Sequence, residues 1–292
     1  MKKNREILQK LLEMDTTQLE VLQLAMEENP FLKESEKEVF KGMLAFFQKY
    51  PLEDYRLCIK KAYLLKIKRK YYTPSNSLME TDREGIKSWI PKDHPLYLKT
   101  LKHEFVHWMN PNLPFVYRNA FNEGLTNLIM MDTYHIPLSQ IHYMHITIFM
   151  MMLSRIYGLK NWIQTYQGKD VYKIMDEMER VLGKEDLDYL QVASGFVNEI
   201  EYVKMSILEE AHNWGYLSGE HQSEYLSYDL ESQKIKMKVW KLVSKLYQAH
   251  HDRPIEFDSK MIQCLELYLK DVLSLQKKES PYLKQIEKVL RK

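Results

Sequence analysis

Leu98-Lys99-Thr100-Leu101-Lys102-His103-Glu104-Phe105-Val106-His107-Trp108-Met109 is the stretch on which the reading of this chain turns. Leu98, Leu101, Phe105, Val106 and Met109 recur at helical spacing and predict a helix with one face in a core. Asp93 and Pro95 are expected at its start, as cap and first-turn residue, and Asn110-Pro111 at its stop. His103 and His107, four apart, then lie on one face about one turn from each other. Two imidazoles so placed can share one metal ion. Glu104, beside the first of them, is directed at a water on such an ion and can act as its base.

With 10 His in 292 residues, chance placement yields only roughly 0.03 matches to H-E-x-x-H. The bland alternative, an ordinary His pair on a helix, is weakened by the well-bounded helix around it. Composition limits the remaining options. A 45% hydrophobic, 28% charged chain is globular and long enough for one or two cores. A net charge of +2 gives no global attraction to nucleic acid or anionic membrane. Cys58 and Cys264, the two cysteines, form no disulfide framework and read as reduced thiols. No secretory signal is visible. The apolar stretch 141–159 contains His142, His145 and Arg155 and reads as a buried helix rather than a membrane span. These features predict a cytoplasmic protein.

Along the chain, apolar spacing predicts two short helices within 5–28, broken at Asp15-Thr16-Thr17 and ended by Asn29-Pro30. A third is expected over 36–49. Residues 56–72 are basic and carry tyrosines. Alternation about Ile67 suggests a half-exposed strand, with 78–82 and 85–90 as further strands. A basic-aromatic surface can bind nucleic acid, but a solvated face is the commoner meaning. A second helix is expected from about 119. Beyond 137 the chain reads as helices over 139–157, 160–182, 185–211, 220–249 and 258–276, with turns at glycines 158, 168, 183, 215 and 219. His135, His142 and His145 lie within eleven residues and offer a second ligand group, although helix histidines are more often partnered polar groups.

His103-Glu104-Phe105-Val106-His107 followed by Asn122-Glu123-Gly124-Leu125-Thr126 resembles the gluzincin-type zinc metallopeptidases. The zincins that continue H-E-x-x-H-x-x-G-x-x-H are excluded, because positions 110 and 113 are Asn and Leu. The resemblance extends more weakly through Ile156-Tyr157-Gly158 to Gly168-Lys169-Asp170, as in bacterial proteins of this kind. It covers residues 85–175 or so. It implies one Zn²⁺ held by His103, His107 and Glu123, with Glu104 as general base for a zinc-bound water. Asn127 stands where many relatives place an acid that hydrogen-bonds a ligand His, so the charge there is lost. Tyr117, or less readily Tyr143, is the implied oxyanion partner. Asp132 is an alternative third ligand but faces away from Glu123 on the same helix.

The expected fold is α+β and predominantly helical. It has an N-terminal helical segment (1–50), a zincin-like core with a small sheet and two active-site helices (51–136), and a helical C-terminal part (137–292). The expected function is hydrolysis of peptide bonds in a peptide or protein substrate, with no membrane partner. Residues 85–90 are expected as the sheet edge that pairs with substrate. The alternative is a degenerate zincin that serves as a protein- or nucleic-acid-binding regulatory module. Retention of Glu104 favours the enzyme, since a binding module has no need of a base beside the metal.

Overall fold

The computed structural model describes residues 2–70, 78–110, 120–141, 143–168, 171–214, 219–252, 255 and 258–269. Helices dominate, with one three-stranded sheet. The chain divides into two units. One comprises Met1–Phe115, Thr126–Leu138 and Tyr166–Lys169; the other comprises Val116–Leu125, Ser139–Thr165 and Asp170–Lys292.

The first unit begins with α1 (Lys2–Leu12) and α2 (Gln18–Glu27). The break expected at 15–17 is a capping box, in which Thr17 and Glu20 satisfy each other's backbone amides. Asn29 stops α2 and also binds across the unit. Its Oδ1 accepts from the amides of Phe31 and Leu32, and its Nδ2 donates to the carbonyls of Ala62 and Leu65. The single helix expected over 36–49 is two, α3 (Glu34–Lys41) and α4 (Met43–Lys49). Gly42 separates them where the Tyr134 ring leaves no room for a side chain.

α5 (Arg56–Leu64) leads into β1 (Ile67–Arg69), followed by the hairpin β2 (Met79–Asp82) and β3 (Gly85–Ser88). The strand order is β1-β3-β2, parallel between β1 and β3 and antiparallel between β2 and β3. The expected edge at 85–90 is therefore the centre of the sheet. A period-two pattern identifies strands but not their order. The edge that packs with the histidine helix is β2. The basic charges of 56–70 are dispersed: Arg56 pairs with Asp54, Lys68 with Glu84, and Lys66 lies over the Phe31 ring.

α6 (Tyr97–Met109) carries the histidines. Asp93 does not cap it. Leu96 is the N-cap residue, and its amide donates to His94 Nδ1 at 3.2 Å. The start of α6 is tied down by buried Glu36, which accepts from Tyr97 Oη, Lys92 Nζ and the Lys33 amide. Burial alone would raise this carboxyl, but the three donors and the Lys92 charge hold it below its usual value. Phe40 and Phe105 pack ring to ring at 4.6 Å and set the α3–α6 contact. α7 (Ala120–Tyr134) passes from one unit to the other between Leu125 and Thr126.

The second unit is built around α8 (Met144–Tyr157), ten of whose side chains are buried. A helix apolar on most sides must be enclosed, and α11 (Lys184–Trp214), α12 (Gly219–His251) and α13 (Ser259–Tyr268) pack on it. α9 (Leu159–Tyr166) and α10 (Val171–Leu182) fall between. Gly158 and Gly183, with φ of 83° and 84°, end α8 and α10 in a conformation that glycine adopts without strain. Position 215 and the expected helix beyond 269 lie outside the described residues. No helix among the described residues is long and apolar enough to cross a membrane.

Candidate metal centre

On α6 the four-residue spacing sets His103 and His107 side by side, with Nε2 atoms 2.9 Å apart. Both are half-buried. On α7, residues 123, 126 and 127 follow the i, i+3, i+4 rule and share one face. That face meets the histidines. Asn127 Oδ1 accepts from His103 Nδ1–H at 2.9 Å, which leaves Nε2 unprotonated in the neutral ring. The Thr126 hydroxyl, fully buried, lies 3.3 Å from His107 Nδ1 and accepts from it in the matching tautomer. In the other His107 tautomer the Thr126 hydroxyl donates to Nδ1 and His107 Nε2–H donates to His103 Nε2 at 2.9 Å; with both Nε2 atoms unprotonated, the two lone pairs are set to share one cation.

Glu123, in the first turn of α7, completes the group. Ligand atoms of His103, His107 and Glu123 all lie within 4.8 Å of one another, and no other group of three or more His, Cys, Asp or Glu converges in this way among the described residues. Two imidazoles and a carboxylate suit a divalent ion of borderline softness, and the polar groups behind the imidazoles are the kind that orient metal ligands. The residues thus fit a metal.

Glu104, about 100° around α6 from His103, is 6% exposed. Thr81 of β2 donates to Glu104 Oε2 at 2.7 Å, with the Glu104 carbonyl at 3.2 Å from the same hydroxyl. The carboxylate beside the first histidine is thereby anchored to the edge strand, and its second oxygen is not taken by this bond.

The C-terminus of α6 is held by α5. Lys61 Nζ donates to the carbonyls of Trp108 (2.9 Å) and Asn110 (2.5 Å), and Trp108 Nε1 returns a bond to the Lys61 carbonyl at 2.9 Å. An ammonium at this end also complements the helix dipole. Burial, opposed weakly by Cys58, lowers the Lys61 pKa to about 8. Between this value and the usual 10.5 the unfolded chain binds the proton more tightly than the folded one. Stability is therefore expected to rise as pH increases from about 8 to about 10, by on the order of 1–2 kcal/mol after allowance for solvent near the ammonium. Urea midpoints at the two pH values test this, with Lys61→Met expected to remove the rise.

The other sequence expectations fall as follows. Asp132 is engaged by Lys49 at 2.8 Å. Tyr117 and His142 lie outside the described residues. Tyr143 is the N-cap residue of α8, and its carbonyl accepts from Thr147. His145 is buried beside Tyr268, and its amide donates to Asn198. Sequence reasoning missed Thr126 and Thr81. The first was accessible as the i+3 partner of Glu123. The second, 23 residues from Glu104, had no local signal. Comparisons with protein-family models, with curated proteins and with solved structures gave no match.

Proposed function

We propose that this chain is a zinc-dependent peptidase of the gluzincin type, with a zincin-like core formed by the small sheet, α6 and α7. The observation that carries the reading is the convergence of His103, His107 and Glu123 within 4.8 Å, with buried Glu104 following His103 on the same helix. Zinc, when bound, supplies Lewis acidity that polarises a carbonyl and brings water into the nucleophilic range near neutral pH. His103, His107 and Glu123 would hold it. Asn127 and Thr126 hydrogen-bond the Nδ1 atoms of the two imidazoles and so restrict their rotation. Glu104 accepts a proton from the attacking water and passes it to the leaving amine. Thr81 fixes one oxygen of Glu104 and leaves the other for that transfer. The outer edge of β2 pairs with no other described strand, and an extended peptide can add there by backbone hydrogen bonds. Buried, free Cys58 and Cys264 fit a reducing, cytoplasmic setting.

The purified protein is expected to carry one zinc ion by atomic absorption and to cleave a peptide mixture, with cleavage lost to a chelator and restored by zinc. A protein without affinity for zinc would refute the reading. Zinc binding without cleavage would favour a binding module. Because the groups behind the histidines are neutral, Asn127→Asp is expected to tighten zinc about tenfold or more, and Asn127→Leu to weaken it about 10–100-fold. Competition with a chromophoric chelator measures both.

A further inference from the structure

α11 and α12 form an antiparallel pair, since Lys204 meets Asp229 while the earlier Glu201 meets the later Ser232 and Lys236. Over residues 199–236 this pair inverts the usual arrangement of amphipathic helices. Its seam is polar. Lys204, Asp229, Ser232, Gln233 and Lys236 are each 6% exposed or less. They are bonded into one network: Lys204 to Asp229 (2.6 Å) and Glu201 (3.0 Å), Gln233 to Asp229 (2.7 Å), Ser232 to Glu201 (2.6 Å) and Lys236 to Glu201 (3.2 Å). Burial alone would lower the Lys204 pKa, but the bonds to Asp229 and Glu201 outweigh it and raise it. Ile207 and Ile235 are buried, but five other large apolar side chains face outward. Tyr202, Met205, Leu208, Leu226 and Leu230 are 40–57% exposed. Within each helix they recur three or four apart, so each set runs along a strip.

A buried ionic seam adds little net stability but can fix register. Exposed apolar strips of this kind mark a surface that meets something else. Charge says what. Glu199, Glu209, Glu210, Glu220 and Glu224 are exposed around the strips, and Glu231 is paired with exposed Lys234 at 3.7 Å. From 199 to 231 the sequence contains no Arg and a single Lys, Lys204, which is buried in the seam. The outer face is thus apolar and anionic. Two copies docked through this face would oppose like charges, and an anionic lipid surface would be repelled in the same way. We propose that residues 199–210 of α11 and 219–231 of α12 form a docking surface for a cationic amphipathic helix of a partner protein. The apolar side of that helix covers Met205, Leu230 and their neighbours, and its Lys and Arg residues reach the flanking glutamates.

The test uses the full chain and a fluorescein-labelled Leu/Lys peptide of about 18 residues, long enough for five helical turns. One control has the same composition scrambled to destroy the apolar face, and another has Glu in place of Lys. The Leu/Lys helix is expected to bind by anisotropy, the scrambled peptide at least about tenfold more weakly, and the Leu/Glu peptide not at all. Hydrogen-exchange protection is expected within 199–231. Met205→Ser with Leu230→Ser, and separately Glu209→Lys with Glu210→Lys, are expected to weaken binding about tenfold. All four positions are exposed, and unchanged circular dichroism verifies folding. Equal binding of the scrambled peptide, protection elsewhere, or no binding overturns the proposal. So does concentration-dependent dimerisation, or binding to phosphatidylserine vesicles, that protects this same region.

Discussion

Glu104→Gln is expected to leave zinc content unchanged and to lower peptide hydrolysis about 10²–10⁴-fold, the range associated with loss of a positioned general base. The two readouts separate because Glu104 is not one of the three converging ligands. Gln is the same size, and its amide oxygen can still accept from the Thr81 hydroxyl, so the contact with β2 survives. What is lost is the ability to take up a proton. Atomic absorption and a fluorogenic peptide assay on the same preparation give both numbers. Unchanged hydrolysis would remove Glu104 from the chemistry even if zinc were present.

The second large effect concerns Gly124. A Cβ built there would lie 2.7 Å from Met150 Cβ and 2.8 Å from the Ile146 carbonyl oxygen, both on α8. Neither atom sits at the end of a flexible side chain, so the helices must move apart. Gly124→Ala is expected to destabilise by about 1–3 kcal/mol and Gly124→Val by more. At about 2–4 °C per kcal/mol for a unit of this size, the valine variant should melt at least about 6 °C lower. Because Glu123 is the preceding residue, zinc affinity should fall with it. Gly195, in the middle of α11 with nothing within 4 Å of its virtual Cβ, is the matched control. Gly195→Ala is expected to be neutral or to stabilise by up to about 1 kcal/mol. Thermal melts of the two alanine variants should diverge in sign.

Where a feature depended on neighbours in sequence, it was legible. Asp15-Thr16-Thr17 announced a helix start, Gly158 and Gly183 announced helix ends, and alternation around Ile67 marked a strand. The histidine pair followed from the helical period, and Asn127 from the resemblance, which implies a partner for a ligand histidine one turn after Glu123. Features that depend on distant partners were not legible. Position 42, between α3 and α4, has to be Gly because Tyr134 occupies the space of a side chain. His94 rather than Asp93 receives the Leu96 amide, in a turn flanked by Lys92 and Tyr97, which both bond Glu36 far earlier in the chain. Strand order was hidden because β3 is equally amphipathic at an edge or at a centre, and only its pairing with both β1 and β2 decides. Thr81 reaches Glu104 through sheet-to-helix packing that no spacing rule encodes.

Glu123, Thr126 and Asn127 occupy a single turn of α7, and their partners a single turn of α6. Adding or deleting one residue upstream in α7 would rotate that turn by about 100° and withdraw all three side chains together. Point substitutions can weaken the centre by degrees, but a shift of helical frame erases it in one step. Across descendants of this chain, length changes within 120–122 that shift the frame of the turn should therefore coincide with loss of Glu123, Thr126 and Asn127 from the centre together.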